Sequence, residues 1–206
     1  MVISLAIKRA KKIITVSQFT KNDILNNYKI IKEKISVTYE AADETLIANN
    51  FVDDGDVLKK YGIIRPYILY VGNAYPHKNL EALVLSYREI KDENQHLVLV
   101  GKEDYFYKKI KKLVREKNIK NIIFTDFVPD NDLDVIYKKS LFYIFPSLYE
   151  GFGLPPIEAM KRNIPVASSN HPCMREILGN NAYFFDAEKK ENITQAIIDF
   201  SKNKEL

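Results

Sequence analysis

From residue 67 onward, short runs of β-branched and aromatic residues alternate with stretches of helical periodicity, and this alternation restricts the possible folds more than any other feature. The runs are Tyr67–Val71, His96–Val100, Asn121–Phe124, Leu141–Phe145, Ile164–Ala167 and Ala182–Phe185. Each is nearly continuously apolar, which predicts strands buried on both faces rather than half-solvated ones. Between them, Leu80, Leu83, Val84 and Tyr87, and again Phe106, Ile110, Leu113 and Val114, recur at helical spacing. A last set, Ile193, Ala196, Ile197 and Phe200, closes the chain as an amphipathic helix. Strands of this kind separated by helices of this length predict an α/β fold, a Rossmann-like doubly wound parallel sheet covered on both faces, over residues 51–206.

The first 50 residues repeat the theme on a smaller scale. Ile13–Val16 and Ile35–Thr38 read as strands, with a helix between them that Ser17 caps. Two short strands do not make a domain, so residues 1–50 are expected to be a fragment plus linker, with the boundary in the polar, turn-rich stretch Asn49–Asp56. The opening, with Ile3, Ala6, Ile7 and Ala10 at helical spacing, reads as an amphipathic helix. Its apolar run is too short for a signal peptide or membrane span, and its charges follow that run. This helix and the first strand are expected either to fold back onto the rest of the chain or to expose apolar surface for a partner.

The single cysteine, Cys173, excludes an internal disulfide, and no Cys/His cluster has metal-ligand spacing, which points to a reducing, cytoplasmic setting and no metal. A net charge of +4 with lysines scattered over many helices implies no nucleic-acid partner. It leaves room for a phosphate-bearing small molecule, or for peripheral contact with an anionic inner membrane surface.

In an open parallel sheet, ligands collect beyond the carboxyl ends of the strands. After the first long strand comes Gly72-Asn73-Ala-Tyr-Pro-His-Lys78-Asn79, leading into a helix. Glycine allows close backbone approach, and Lys78 would stand near a helix N-terminus that already favours an anion such as a pyrophosphate. The bland reading is a tight loop with a solvated lysine. After Phe145 comes Pro146-Ser-Leu-Tyr-Glu150-Gly151-Phe152-Gly153-Leu154-Pro-Pro-Ile-Glu158. Here a glycine turn feeds a helix that tolerates proline at its start, and the amides near Phe152, Gly153 and Leu154 are expected to face the cleft. Glu158, placed in the first helical turn, would either complement the helix dipole or grip ribose hydroxyls. Glu150 would be a surface charge or a carboxylate facing the reacting sugar. Gly101 follows another strand, and Phe127, Val128 and Leu133 offer apolar surface for a nucleobase, with core packing expected for at least one of them. Dinucleotide, Walker, nucleophile-elbow and metal motifs are not found, which disfavours dehydrogenase, NTPase and hydrolase chemistry.

Taken together, Tyr70–Leu80, Leu97–Gly101, Phe127–Leu133, Phe145–Met160, Ile164–Ser168 and Arg175–Gly179 resemble the family-4 retaining glycosyltransferases of the GT-B fold. The resemblance covers about residues 10 to 200, and its most specific block is the pair of glutamates eight apart around the Gly-aromatic-Gly-Leu-Pro turn. It implies the C-terminal, nucleotide-sugar-binding domain with a short remnant of the N-terminal acceptor domain, about 150 residues of which would precede Met1 in a full member. By resemblance, Lys78 neutralises the donor diphosphate, Glu158 holds the ribose, and Glu150 with the amides of residues 152–154 addresses the transferred sugar, without a metal or cofactor. The donor would be a GDP- or UDP-sugar, the His-Lys-Asn loop being similar to members that use GDP-mannose. The acceptor would be a sugar or lipid-linked hydroxyl. Two departures stand out: the arginine frequent near the lysine loop is missing from Asn73–His77, and Asn163 replaces a glycine, a mild change because asparagine tolerates positive φ. The expectation is therefore a glycosyltransferase donor domain, working with a separate acceptor subunit or as a homo-oligomer. The competing reading is a non-catalytic nucleotide-sugar-binding or interaction module.

Overall fold

The computed structural model describes residues 2–42 and 54–202. The linker expected at Asn49–Asp56 falls partly outside them, and its last three residues, 54–56, open a helix instead. In chain order the elements are α1 (Val2–Arg9), β1 (Ile13–Thr15), α2 (Gln18–Asn27), β2 (Ile35–Val37), α3 (Asp54–Lys60), β3 (Tyr67–Val71), α4 (Leu80–Tyr87), β4 (His96–Val100), α5 (Tyr105–Glu116), β5 (Ile122–Asp126), α6 (Asp130–Lys138), β6 (Tyr143–Phe145), α7 (Leu154–Lys161), β7 (Val166–Ser169), α8 (Pro172–Leu178), β8 (Tyr183–Phe185) and α9 (Lys190–Lys202).

Strands β3 to β8 form one parallel sheet in the order β5-β4-β3-β6-β7-β8. The chain moves outward from β3 to β5, returns to lay β6 beside β3, and moves outward again to β8. Because parallel crossovers are right-handed, the helices of the two legs cover opposite faces. Helix α4 accordingly packs on α5 and α9, and α3 on α6. The order reverses between β3 and β6, so their carboxyl ends flank the position where an open α/β sheet binds its ligand.

Of the six runs expected to be buried on both faces, the central strands are; the edge strands depart from that, β5 being only half-buried and Tyr183 of β8 exposed, because an edge strand has a neighbour on one side only. Tyr67, Ile68, Leu69, Tyr70, Leu97, Val98, Leu99, Tyr143, Ile144 and Phe145 are all fully buried. The predicted helical faces also turn inward: Leu80, Leu83, Val84 and Tyr87 of α4, and Ile193, Ala196, Ile197 and Phe200 of α9, lie in the core. Asn163 has φ 57°, the left-handed conformation a glycine would occupy.

Strands β1 and β2 pair in parallel as a separate two-stranded sheet, and α2 packs on α8. The cap predicted at Ser17 is present, with its hydroxyl accepting the Thr20 amide at 3.1 Å. Of the two outcomes envisaged for the first helix and strand, exposure of apolar surface is seen, with Ile3 and Ile14 exposed; the segment that folds back onto the larger sheet domain is α2, which the expectation did not cover.

Candidate functional site

Lys78 and Glu150, 72 residues apart, meet at 2.6 Å at the carboxyl ends of the adjacent strands β3 and β6. Only 15% and 10% of their side chains are exposed. The ammonium also lies 5.4 Å from the Phe145 ring centroid, a cation–π contact. Lys78 ends a short 3-10 turn, Pro76–Lys78, and α4 begins two residues later, so the lysine stands beside a helix N-terminus as expected.

Its loop is locked to its neighbours. Asn79 takes the left-handed conformation, φ 60°, and its amide donates to the carbonyls of Pro146 at 3.3 Å and Ala187 at 2.8 Å. The Leu148 amide donates to the His77 carbonyl at 2.7 Å. One asparagine therefore ties together the loops following β3, β6 and β8. At the loop's root, three phenols donate to three successive carbonyls: Tyr143 to Val71 at 3.2 Å, Tyr107 to Gly72 at 2.8 Å and Tyr70 to Asn73 at 2.8 Å. Burial raises the pKa of each of these tyrosines, so they remain neutral donors.

The glycines of this region differ in purpose. A side chain at Gly101 would meet the Gly72 carbonyl at 2.1 Å and the Tyr107 hydroxyl at 2.5 Å, so its absence is explained by two backbones pressed together. Gly153 has φ 92° and caps α7. With Pro155 and Pro156 following, the N-terminus of α7 retains few free N–H groups. Those of Gly153 and Leu154 find no acceptor among the described residues.

Because α7 starts at Leu154, Glu158 lies in its second turn rather than its first, which corrects the expectation and removes the helix-dipole explanation for it. Its carboxylate instead accepts from the buried Tyr137 hydroxyl at 3.2 Å. Tyr137 is raised well above its ordinary pKa, first by burial and then by Glu158. Arg162 stacks over Tyr137, donates to Asp134 at 2.7 Å, and donates to the Glu158 carbonyl at 2.9 Å. Tyr143 is shifted upward mainly by burial, with the negative charges of Glu158 and Glu150 adding to the shift.

Other expectations divide. Phe127 is 67% exposed beyond β5, free to face a planar ligand. Val128 is buried in the core and Leu133 packs partly against it, so the Val128 side chain offers a base no wall. The Phe152 side chain is also buried, tilted against Tyr39, which leaves only its backbone available to a ligand. Two cavities adjoin these loops, about 580 Å³ beside Tyr75 and Phe106 and about 280 Å³ beside Ser147 and His171. Neither is lined by Lys78, Glu150 or Glu158.

The anchoring tyrosines, Asn79 and His171 were not singled out by sequence. The available signal was tyrosine within otherwise apolar strands, Tyr70 and Tyr143, since a buried phenol requires a hydrogen-bond acceptor. His171 caps α8 by accepting the Cys173 amide at 3.3 Å, and burial lowers its pKa. Burial pushes the Cys173 thiol up to about 11.

A doubly wound parallel sheet, with a basic side chain, a carboxylate and unpaired helix-start amides gathered at its switch point, defines a Rossmann-like α/β domain built to hold an anionic ligand. Residues 59–206 match the model of the family described as glycosyl transferases group 1, and the chain belongs to that family. It is 32% identical over 196 residues to the O-antigen chain mannosyltransferase RfbU of Salmonella typhimurium, covering 95% of this chain and 52% of that one. It is 30% identical over 197 residues to the O-antigen chain mannosyltransferase B of Escherichia coli, at 92% and 51% coverage. Among solved structures, Anabaena Alr3699/HepE in complex with UDP-glucose superposes with a TM-score of 0.82 at 17% identity, covering 96% of this chain and 56% of that one. The sucrose-phosphate synthase of Thermosynechococcus elongatus gives 0.81 at 23% identity, with 98% and 52% covered. The chain thus spans about half the length of these relatives.

Proposed function

We propose that this chain is the donor half of a retaining, metal-independent glycosyltransferase that takes a sugar from a nucleoside-diphosphate sugar and passes it to an acceptor hydroxyl. The observation that carries the reading is the Lys78–Glu150 pair at the strand-order reversal, next to the unpaired amides of Gly153 and Leu154. A diphosphate carries more negative charge than one carboxylate, so on arrival it would draw Lys78 away from Glu150. The freed carboxylate then faces the sugar, where it can accept from hydroxyls. Glu158, already oriented by Tyr137, holds the ribose. Phe127 lies against the base.

In the transfer step the bond between the anomeric carbon and the diphosphate oxygen breaks, and negative charge grows on the leaving group. Lys78 is fixed where that charge develops and stabilises the transition state more than the ground state, while the helix-start amides face the transferred sugar. The acceptor hydroxyl attacks on the face the leaving group departs from, giving retention, and its proton passes to the departing phosphate oxygen. The acceptor, a sugar or lipid-linked hydroxyl, would be presented by the other half of the enzyme. The two O-antigen mannosyltransferase relatives and the His77-Lys78-Asn79 loop support GDP-mannose as donor.

Thermal denaturation of the chain with GDP, GDP-mannose, UDP and UDP-glucose tests this. A ligand at 100 times its Kd adds about 2.7 kcal/mol of stability. A shift with at least one nucleotide-sugar is expected, largely lost in Lys78→Ala and in Glu158→Ala. No shift with any of the four, or shifts unchanged in both variants, would overturn the assignment.

A further inference from the structure

We infer that Ser17, Thr20 and Glu176 are positioning residues that hold the sugar-facing turn in its binding geometry. The inference rests on the reading of residues 150–154 as the sugar site. The Ser17 hydroxyl lies 2.6 Å from the Gly151 carbonyl oxygen and Thr20 Oγ1 3.3 Å from the same atom, across more than 130 residues of chain. A hydroxyl has one proton to give, and Ser17 gives it to Gly151 as the nearer acceptor while its lone pair caps the Thr20 amide.

A peptide unit is planar and trans, so the Gly151 carbonyl and the Phe152 N–H point in opposite directions within one rigid plane. Fixing the carbonyl fixes the N–H. Glu150 and Phe152 anchor the two sides of Gly151 by the Lys78 ion pair and a buried ring, but Gly151 itself has no side chain to hold, and a Cβ there would meet Thr20 and Val16 at ordinary contact distances of 3.5 and 3.7 Å. Space alone therefore does not require glycine at 151, and the hydroxyl pair is what orients this peptide.

The hydroxyls are themselves held from the other side. Glu176 of α8 accepts the Gln18 amide at 2.6 Å and the Phe19 amide at 2.7 Å, the first free N–H groups of α2, and the Tyr39 hydroxyl at 2.9 Å. Its carboxylate meets a helix N-terminus, where negative charge is favoured. Phe19, Tyr149 and His171 pack edge to face around this junction, and Tyr149 donates to Asp23 at 2.9 Å. The segment preceding β2 is thereby docked against the turn by contacts on both its sides.

Calorimetric titration separates positioning from general support. The ligands are GDP against GDP-mannose and UDP against UDP-glucose, and the variants are Ser17→Gly/Thr20→Val and Ser17→Thr. Glycine at the cap position costs α2 only a few tenths of a kcal/mol, so loss of the donor is read without loss of the cap. The double variant is expected to bind the free nucleoside diphosphate as wild type does, and the nucleotide-sugar about tenfold more weakly. Ser17→Thr, which keeps a hydroxyl, should retain wild-type affinity for both ligands. Equal weakening for both ligands, or unchanged nucleotide-sugar affinity in the double variant, would overturn the inference. Absence of binding to the wild-type chain would instead overturn the donor-site reading beneath it.

Discussion

At the scale of single residues, Lys78 and Glu150 are the most constrained charges of the site. Removing one partner of a buried ion pair strands the other, at a cost of about 3–5 kcal/mol when burial is complete. Here a neutral amide would still accept from Lys78 and a tenth of the side chain remains wet, so Glu150→Gln is expected to lower stability by about 1–2 kcal/mol, measurable by urea denaturation. The same substitution exchanges the ion pair for a weaker neutral hydrogen bond that a diphosphate displaces more easily, so GDP or UDP should bind the variant at least as tightly as wild type even though the sugar-facing carboxylate is gone. Weaker nucleoside-diphosphate binding would contradict the proposed exchange of partners. His171 supplies a pH dependence. Its pKa is lowered from 6.5 by burial, opposed by Glu150, so the folded state favours the neutral ring whose Nδ1 accepts the Cys173 amide. Between that lowered value and 6.5 the unfolded chain binds the extra proton, so stability from this group is present above pH 6.5 and lost as pH falls through the folded value. Melting curves from pH 7.5 downward should show wild type losing more stability than His171→Asn, which can cap without titrating. Parallel curves would remove His171 from the account.

At the scale of elements, the loop junction at Asn79 is the structural hinge of the site. Asn79→Ala loses two hydrogen bonds to the Pro146 and Ala187 carbonyls and places alanine at φ 60°. Net losses of about 1 kcal/mol per bond and 1–2 kcal/mol for the left-handed backbone predict destabilisation of about 3 kcal/mol, with donor binding weakened as the three loops separate. Stability within about 0.5 kcal/mol of wild type would show that the junction is held by other contacts. The strands and helices themselves were readable from residue pattern, because Tyr67–Val71 or His96–Val100 can only be buried on both faces and Leu80–Tyr87 only on one. Boundaries were less so. Pattern places the start of β6 at Leu141, whereas the strand runs from Tyr143, although the Leu141 amide already donates to the Tyr67 carbonyl of β3 at 2.8 Å. Glu158 was placed a turn too early because the start of α7 is set by the positive φ of Gly153, which residue periodicity does not encode.

At the scale of the whole molecule, convergence of the two motifs was legible because a parallel sheet with one reversal must bring the loops after β3 and β6 together. The ion pair between them was not, nor were the Tyr107 and Tyr143 anchors and the docking of α2 through Ser17 on Gly151 and Glu176 on the α2 amides, since each depends on contacts between segments tens of residues apart. The N-terminal segment also leaves apolar surface uncovered. Ile14 is 72% and Ile31 69% exposed, and among the described residues β1 and β2 pair only with each other, leaving open sheet edges. The chain alone is therefore expected to self-associate, detectably by sedimentation velocity, and Ile14→Lys/Ile31→Lys should reduce that association without changing the nucleotide-induced thermal shift. A monomeric wild-type chain at high micromolar concentration would contradict this.

The central claim is that Lys78 and the 150–154 turn make one site for a sugar diphosphate, and a crystal structure of the chain with GDP-mannose or UDP-glucose bound tests it most directly. The diphosphate is expected within hydrogen-bond distance of Lys78 Nζ, the transferred sugar against the Gly153 and Leu154 amides, the 2.6 Å contact to Glu150 opened, and Glu158 on the ribose. A diphosphate seated elsewhere, for example in the cavity beside Tyr75 and Phe106, with the Lys78–Glu150 pair intact, would contradict it.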